Sequence, residues 1–75
     1  MPIVTIKTVK GLLTSEKKRE LHKKISELLV EIEGGGNPQF VKFIVVNISE
    51  EPAENFSGGG IQLKPEMLGL PKIAP

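Results

Sequence analysis

The sequence contains no cysteine, no tryptophan and no tyrosine, only one histidine, and none of its nine acidic residues is an aspartate. Without cysteine there can be no disulfide staple, no thiolate nucleophile and no cysteine zinc site. One histidine cannot supply a histidine metal cluster, so no metal and no cofactor is expected. The three phenylalanines are the whole aromatic content and the formal charge is +1. That leaves neither the stacking surface nor the basic footprint that nucleic acids require, and nothing to hold an anionic membrane. No apolar run approaches the length of a membrane span, and Lys7 and Lys10 interrupt the only segment that could pass for a signal core. These absences point to a soluble, cytoplasmic chain with neither nucleic-acid nor membrane partners. At 75 residues it is one domain near the lower limit of what a single core can stabilise. With no staple available, oligomerisation is the remaining way to bury enough apolar surface.

Residues 2–9, PIVTIKTV, are β-branched and partly alternating, the pattern of a half-buried strand, and a proline can open a strand where no ladder donor is needed. Gly11 ends that run. Thr14 or Ser15 offers a helix N-cap, and Glu16 follows where the helix dipole favours a negative charge. From there to Glu33, residues Leu21, Ile25, Leu28, Leu29 and Ile32 recur at helical spacing and form one apolar stripe. The cations Lys17, Lys18, Arg19, Lys23 and Lys24 are interleaved with Glu16, Glu20 and Glu27, so they read as a solvated face, with Glu20 and Lys24 a favourable pair. His22 lies on the flank of the stripe and reads as a surface histidine.

Gly34, Gly35, Gly36 and Asn37-Pro38 stop the helix. The triple glycine follows a helix C-terminus, where the dipole repels anions, and so is no phosphate cradle. Residues 40–48, FVKFIVVNI, predict a buried strand parallel to the first, which makes a βαβ unit. Ser49 to Asn55 reads as polar loop. Ser57-Gly58-Gly59-Gly60 is a second glycine turn, and IQLK after it a short strand or hairpin arm. The last segment, PEMLGLPKIAP, is apolar but carries too many prolines for a regular helix. One helix shields only one face of a two-stranded sheet, so the other face is expected to meet a partner subunit.

A second-position proline in PIVTIK, a glycine closing that strand, the helix start TSEKK, the βαβ pattern and the late ENFSGGG occur in this order over residues 2–60. Together they resemble the 4-oxalocrotonate tautomerase family. The resemblance implies an α+β fold, a single βαβ unit with a short C-terminal hairpin or extension; the tautomerase-like domain is expected over residues 1–62, and the apolar, proline-containing extension of residues 63–75 is expected to pack on a neighbouring subunit. It implies homo-oligomers built from dimers, usually a hexamer, in which the sheets of two units join. It also implies an isomerase that interconverts the enol and keto forms of a small 2-hydroxydienoate or enol-pyruvate-type acid. Its general base would be the amino-terminal Pro2, freed by removal of Met1, and Phe56 would line the apolar wall of the pocket.

The sequence departs from that pattern at two positions. Where the family's best-known members carry an arginine just after the first-strand glycine, this chain has Leu12 and Leu13. Where they carry a second arginine early in the second strand, counting back from Glu50 and Phe56 reaches Val45, with Lys42 the nearest cation in sequence. Arg19, the only arginine, belongs to the solvated helix face. Leu12, Leu13, Val45 and Phe56 are therefore the candidate substrate-binding residues. A guanidinium grips a carboxylate through two parallel hydrogen bonds that leucine and valine cannot make, so a dicarboxylate substrate is not expected. The alternative left open is a tautomerase-fold binding or structural module without a working pocket.

Overall fold

The structure is a computed structural model and describes residues 1–70. Strand β1, Ile3–Val9, leads to helix α1, Ser15–Ile32, a 3-10 helix at Pro38–Phe43 and strand β2, Val45–Glu51. A one-turn 3-10 segment at Ala53–Asn55 precedes the short strands β3, Ser57–Gly58, and β4, Ile61–Gln62, and a last 3-10 turn spans Pro65–Leu68. β1 and β2 pair in parallel from Ile3 beside Val45 to Val9 beside Glu51, with α1 as the crossover. This is the expected βαβ unit, and β3 and β4 pair antiparallel to form the hairpin that follows it.

Local chemistry accounts for most of these boundaries. Thr14 takes the N-cap of α1, its hydroxyl accepting from the Lys17 N–H at 3.1 Å, and Glu16 sits in the first turn where the dipole favours it. Gly59 and Gly60, φ +59° and +83°, form the two-residue connection of the hairpin. Positive φ at both positions is what a type I′ turn demands, and glycine meets it without steric cost.

The second strand differs from the sequence expectation. Residues 40–43 belong to the 3-10 helix, and β2 begins only at Val45 and runs on to Glu51 through Ser49 and Glu50. Asn37 causes the difference at the front: its side chain accepts from the Gln39 N–H at 3.0 Å, and Pro38 fills the first helical position. At the far end the parallel ladder with β1 carries polar residues into the strand, because pairing satisfies their backbone groups whatever their side chains are.

The helix covers one face of the sheet. Val4, Ile6, Thr8, Val46, Ile48 and Glu50 alternate onto that face and are half-buried. Lys18 of α1 forms an ion pair with Glu50 across it. From the helix side Leu21, Ile25, Leu29 and Val30 are half-buried, whereas Leu28 and Ile32 of the expected stripe stand 53% and 71% exposed. On the other face Ile3 is 69% and Val45 42% exposed, and nothing among the described residues covers them. Val9 and Ala53 are the only buried apolar residues among those described. The radius of gyration is 15.8 Å, against about 11 Å for a compact chain of this length. The protomer is thus an open two-layer unit.

The tail returns part of the way to its own protomer. Gly11, φ +102°, lies against the Leu70 side chain, whose Cδ2 would be 3.4 Å from a Cβ placed there. Met67 remains 57% exposed, and residues 71–75 of the expected extension lie outside the described residues.

Of the three glycines that end α1, Gly34 is the one packed against a side chain. A Cβ there would fall 2.6 Å from Cγ and 2.7 Å from Cβ of Phe40, while Gly35 and Gly36 have open space and instead need their positive φ. Phe40 cannot swing aside, because its Cβ is fixed to the capped 3-10 helix and its ring packs on Phe43 at 6.0 Å between centroids. Gly34→Ala is accordingly expected to destabilise the fold by about 1–3 kcal/mol through overpacking. Gly35→Ala should act through backbone strain alone. Denaturant midpoints measured at equal subunit concentration check the pair; an unchanged midpoint for Gly34→Ala would exclude the contact.

Candidate active site

Pro2 lies half-buried immediately before β1, between the exposed Met1 and Ile3. Its carbonyl accepts from the Val45 N–H at 3.0 Å, which ties the chain start to the first residue of β2. The parallel register therefore places Val45 beside Pro2, two positions that are 43 residues apart in sequence and share no local signal. With Met1 attached the Pro2 nitrogen belongs to an amide and has no basic lone pair.

The remaining candidate residues gather elsewhere. Leu12 and Leu13 follow Gly11 at the other end of β1. The Leu12 N–H reaches the Val9 carbonyl at 3.4 Å and its side chain is 37% exposed, while Leu13 is half-buried at the start of α1. Phe56 follows the C-terminal end of β2. Its N–H donates to the Ala53 carbonyl at 3.0 Å and its own carbonyl accepts from Leu63 at 2.9 Å, so turn and hairpin hold it from both sides. The Gln62 amide, donating to the Glu54 carbonyl at 2.8 Å, adds a third tie between hairpin and turn.

Because β1 is seven residues long and a strand rises about 3.3 Å per residue, the two clusters stand about 20 Å apart. Pro2 with Val45 occupies one end of the sheet, and Leu12, Leu13 and Phe56 the other. Within one protomer the five candidate residues do not converge.

The charged groups follow the same division. Lys10 stands at the far end beside Glu51, since its N–H donates to the Glu51 carbonyl at 2.8 Å, and Lys18 is occupied by Glu50. Lys42 sits in the last turn of the 3-10 helix, three residues ahead of Val45, on an element with no acid of its own. The strand expected over residues 40–48 would place Lys42 within the sheet; the Asn37 cap and Pro38 put it on the 3-10 helix instead. The helix pair Glu20–Lys24, 2.8 Å apart, forms as its spacing suggests. A hydrogen bond and the charge of Lys24 hold the exposed Glu20 carboxyl below its usual range, and Glu20 raises Lys24 in turn. His22 is exposed, and among the described residues no three His or Glu side chains gather as a metal site would need. No helix among them is long and apolar enough to cross a membrane.

Comparison with known proteins gives these positions a context. YwhB, a homologue of 4-oxalocrotonate tautomerase, shares 33% identity over 81% of this chain and 92% of its own, with a TM-score of 0.68. DmpI from Helicobacter pylori shares 32% over 81% and 94%, with a TM-score of 0.66. A protein studied for trans-3-chloroacrylic acid dehalogenase activity shares 27% over 83% and 98%, with a TM-score of 0.64. No curated protein matches the chain. The family model described as tautomerase enzyme matches residues 2–64, from the candidate base through Phe56 to the end of the hairpin, and the chain belongs to the tautomerase family.

Proposed function

We propose that the protein is a tautomerase that converts a small 2-hydroxydienoate or enol-pyruvate-type acid between its enol and keto forms, with Pro2 as general base once Met1 has been removed. The observation that carries this reading is the placement of Pro2: half-buried at the head of β1, with its carbonyl held by Val45, in a chain whose family match begins at that residue. A secondary amine so placed can take the enol hydroxyl proton while the carbon–carbon π pair moves outward. The carbonyl then forms as the far carbon accepts a proton from the prolinium. One proton leaves oxygen, one arrives at carbon, and nothing is oxidised or reduced.

The separation of the two clusters makes assembly part of this reading. β1 has one edge paired with β2 and the other free. Joining two copies antiparallel along that free edge sets the head of one β1 beside the tail of the other, so that Pro2 of one subunit meets Leu12 and Phe56 of its partner. The same contact extends the sheet to four strands.

Ketonisation in D₂O tests the proposal. The Met1-free protein should convert an enol pyruvate substituted at C3 faster than buffer alone and deliver deuterium to one face of that carbon, giving a single CHD configuration by NMR after chiral derivatisation. Uncatalysed ketonisation labels both faces equally. A rate and label distribution equal to buffer for every enol acid offered, with correctly assembled protein, would leave only a tautomerase-fold binding module.

A further inference from the structure

Resting on the proposed activity, we infer that Leu70, carried by the C-terminal tail, is the stop that sets the length of enol acid the protein accepts. The tail lies beyond residue 64, where the match to the family ends, so the region shared with the family does not include it. Its path is nevertheless fixed at each step. The Phe56 carbonyl accepts from the Leu63 N–H at 2.9 Å, which ties the start of the tail to a candidate wall residue. Pro65–Leu68 then form a 3-10 turn, and Gly69, φ +73°, reverses the chain. The Leu70 N–H donates to the Pro65 carbonyl at 3.0 Å and the Gly69 N–H to the Glu66 carbonyl at 3.2 Å. These are the paired bonds that close a helix end around a left-handed glycine.

The turn leaves Leu70 half-buried, with both of its Cδ atoms against Gly11, 3.4 and 3.5 Å from where a Cβ would stand. Gly11 leads directly into Leu12, so the tail runs as a strap from Phe56 round to the other candidate wall residue at this end of the sheet. In the proposed assembly that end receives Pro2 of the partner subunit, and an enol acid held there has its far end toward the strap. A leucine fixed by its own turn and packed on backbone excludes atoms sterically, and one carbon more or less is enough to be felt at such a wall. Lys10, exposed at the same end and in no ion pair among the described residues, acts on charge and not on length. Probes of equal charge therefore isolate the contribution of Leu70.

Two enol acids with one carboxylate each test this in the Met1-free, full-length protein: the short 2-hydroxypenta-2,4-dienoate and the longer phenylenolpyruvate, which ends in a ring. The readout is the ratio of kcat/KM for the long probe to that for the short one. Leu70→Ala opens the end of the site and should raise the ratio about tenfold or more over the parent. Leu70→Phe fills it and should lower the ratio by a similar factor. Light scattering confirms assembly of each variant, and should one fail to assemble the other decides alone. A ratio unmoved by the assembled variants, or moved the same way by both, overturns the assignment while turnover itself leaves Pro2 in place as base. Failure of both to assemble makes Leu70 a structural residue and overturns it as well. Turnover of neither probe by the parent removes the activity on which the inference rests, and the inference with it.

Discussion

Removal of Met1 is expected to raise enol–keto turnover by about 10²–10⁴-fold, the usual contribution of a positioned general base. The physical reason is the state of one nitrogen. With Met1 in place it is an amide; after removal it becomes a secondary amine. The reference pKa of an α-amino group, about 7.7–8.0, lies much closer to neutrality than that of a lysine side chain at about 10.4. Apolar surroundings penalise the ammonium form and move the value lower still, toward the pH at which a base works best. Pro2 is already half-buried within the open protomer, and the partner's Phe56 would cover it further on assembly. The chain has no cysteine, and its one histidine is exposed on α1, so no other described side chain near Pro2 is an evident substitute. The measurement is paired: mass spectrometry establishes the fraction of Met1-free chain, and turnover is plotted against that fraction. A straight line through the origin supports the prediction. Equal turnover with and without Met1 would reduce Pro2 to a strand opener. Pro2→Ala should lose most of the activity with the assembly unchanged, since alanine leaves a primary amine on a freer backbone.

The second large effect concerns assembly: no folded monomer is expected at working concentrations. Val9 and Ala53 are the only buried apolar side chains among the described residues, while Ile3, Ile32, Ile61 and Met67 each stand more than half exposed. A folded unit with so little interior cannot offset the conformational entropy of its own ordering. The apolar residues left outside are therefore expected to be buried between copies. Light scattering should give an even multiple of the 8.2 kDa chain, and the melting temperature should rise with protein concentration because association and folding are linked. Ile3→Lys places an ammonium on the uncovered sheet face at the head of β1 and should abolish the assembly together with the secondary structure. A cooperative, concentration-independent transition at the mass of one chain would contradict this.

What was legible in the sequence was local. Strand β1, helix α1 with its Thr14 cap and the glycine hairpin each arise from interactions spanning a few residues, and composition and spacing report such interactions directly. The parallel βαβ order was legible as well, from two β-branched runs separated by an amphipathic helix. The start of β2 was not, because FVKF is apolar under either period, and a single capping contact from Asn37 decided between strand and 3-10 helix. Neither was the split of the candidate site. Pro2, Leu12, Val45 and Phe56 can be picked out one at a time from the sequence, but their distances depend on the register of two strands that meet only after the crossover helix has formed. That register ties Pro2 to Val45 and leaves Leu12 and Phe56 at the opposite end of the sheet. Local interactions along the chain account for the elements and for the chemistry available to them. Which residues stand together follows from the strand register alone, because parallel pairing joins chain ends that local interactions never compare.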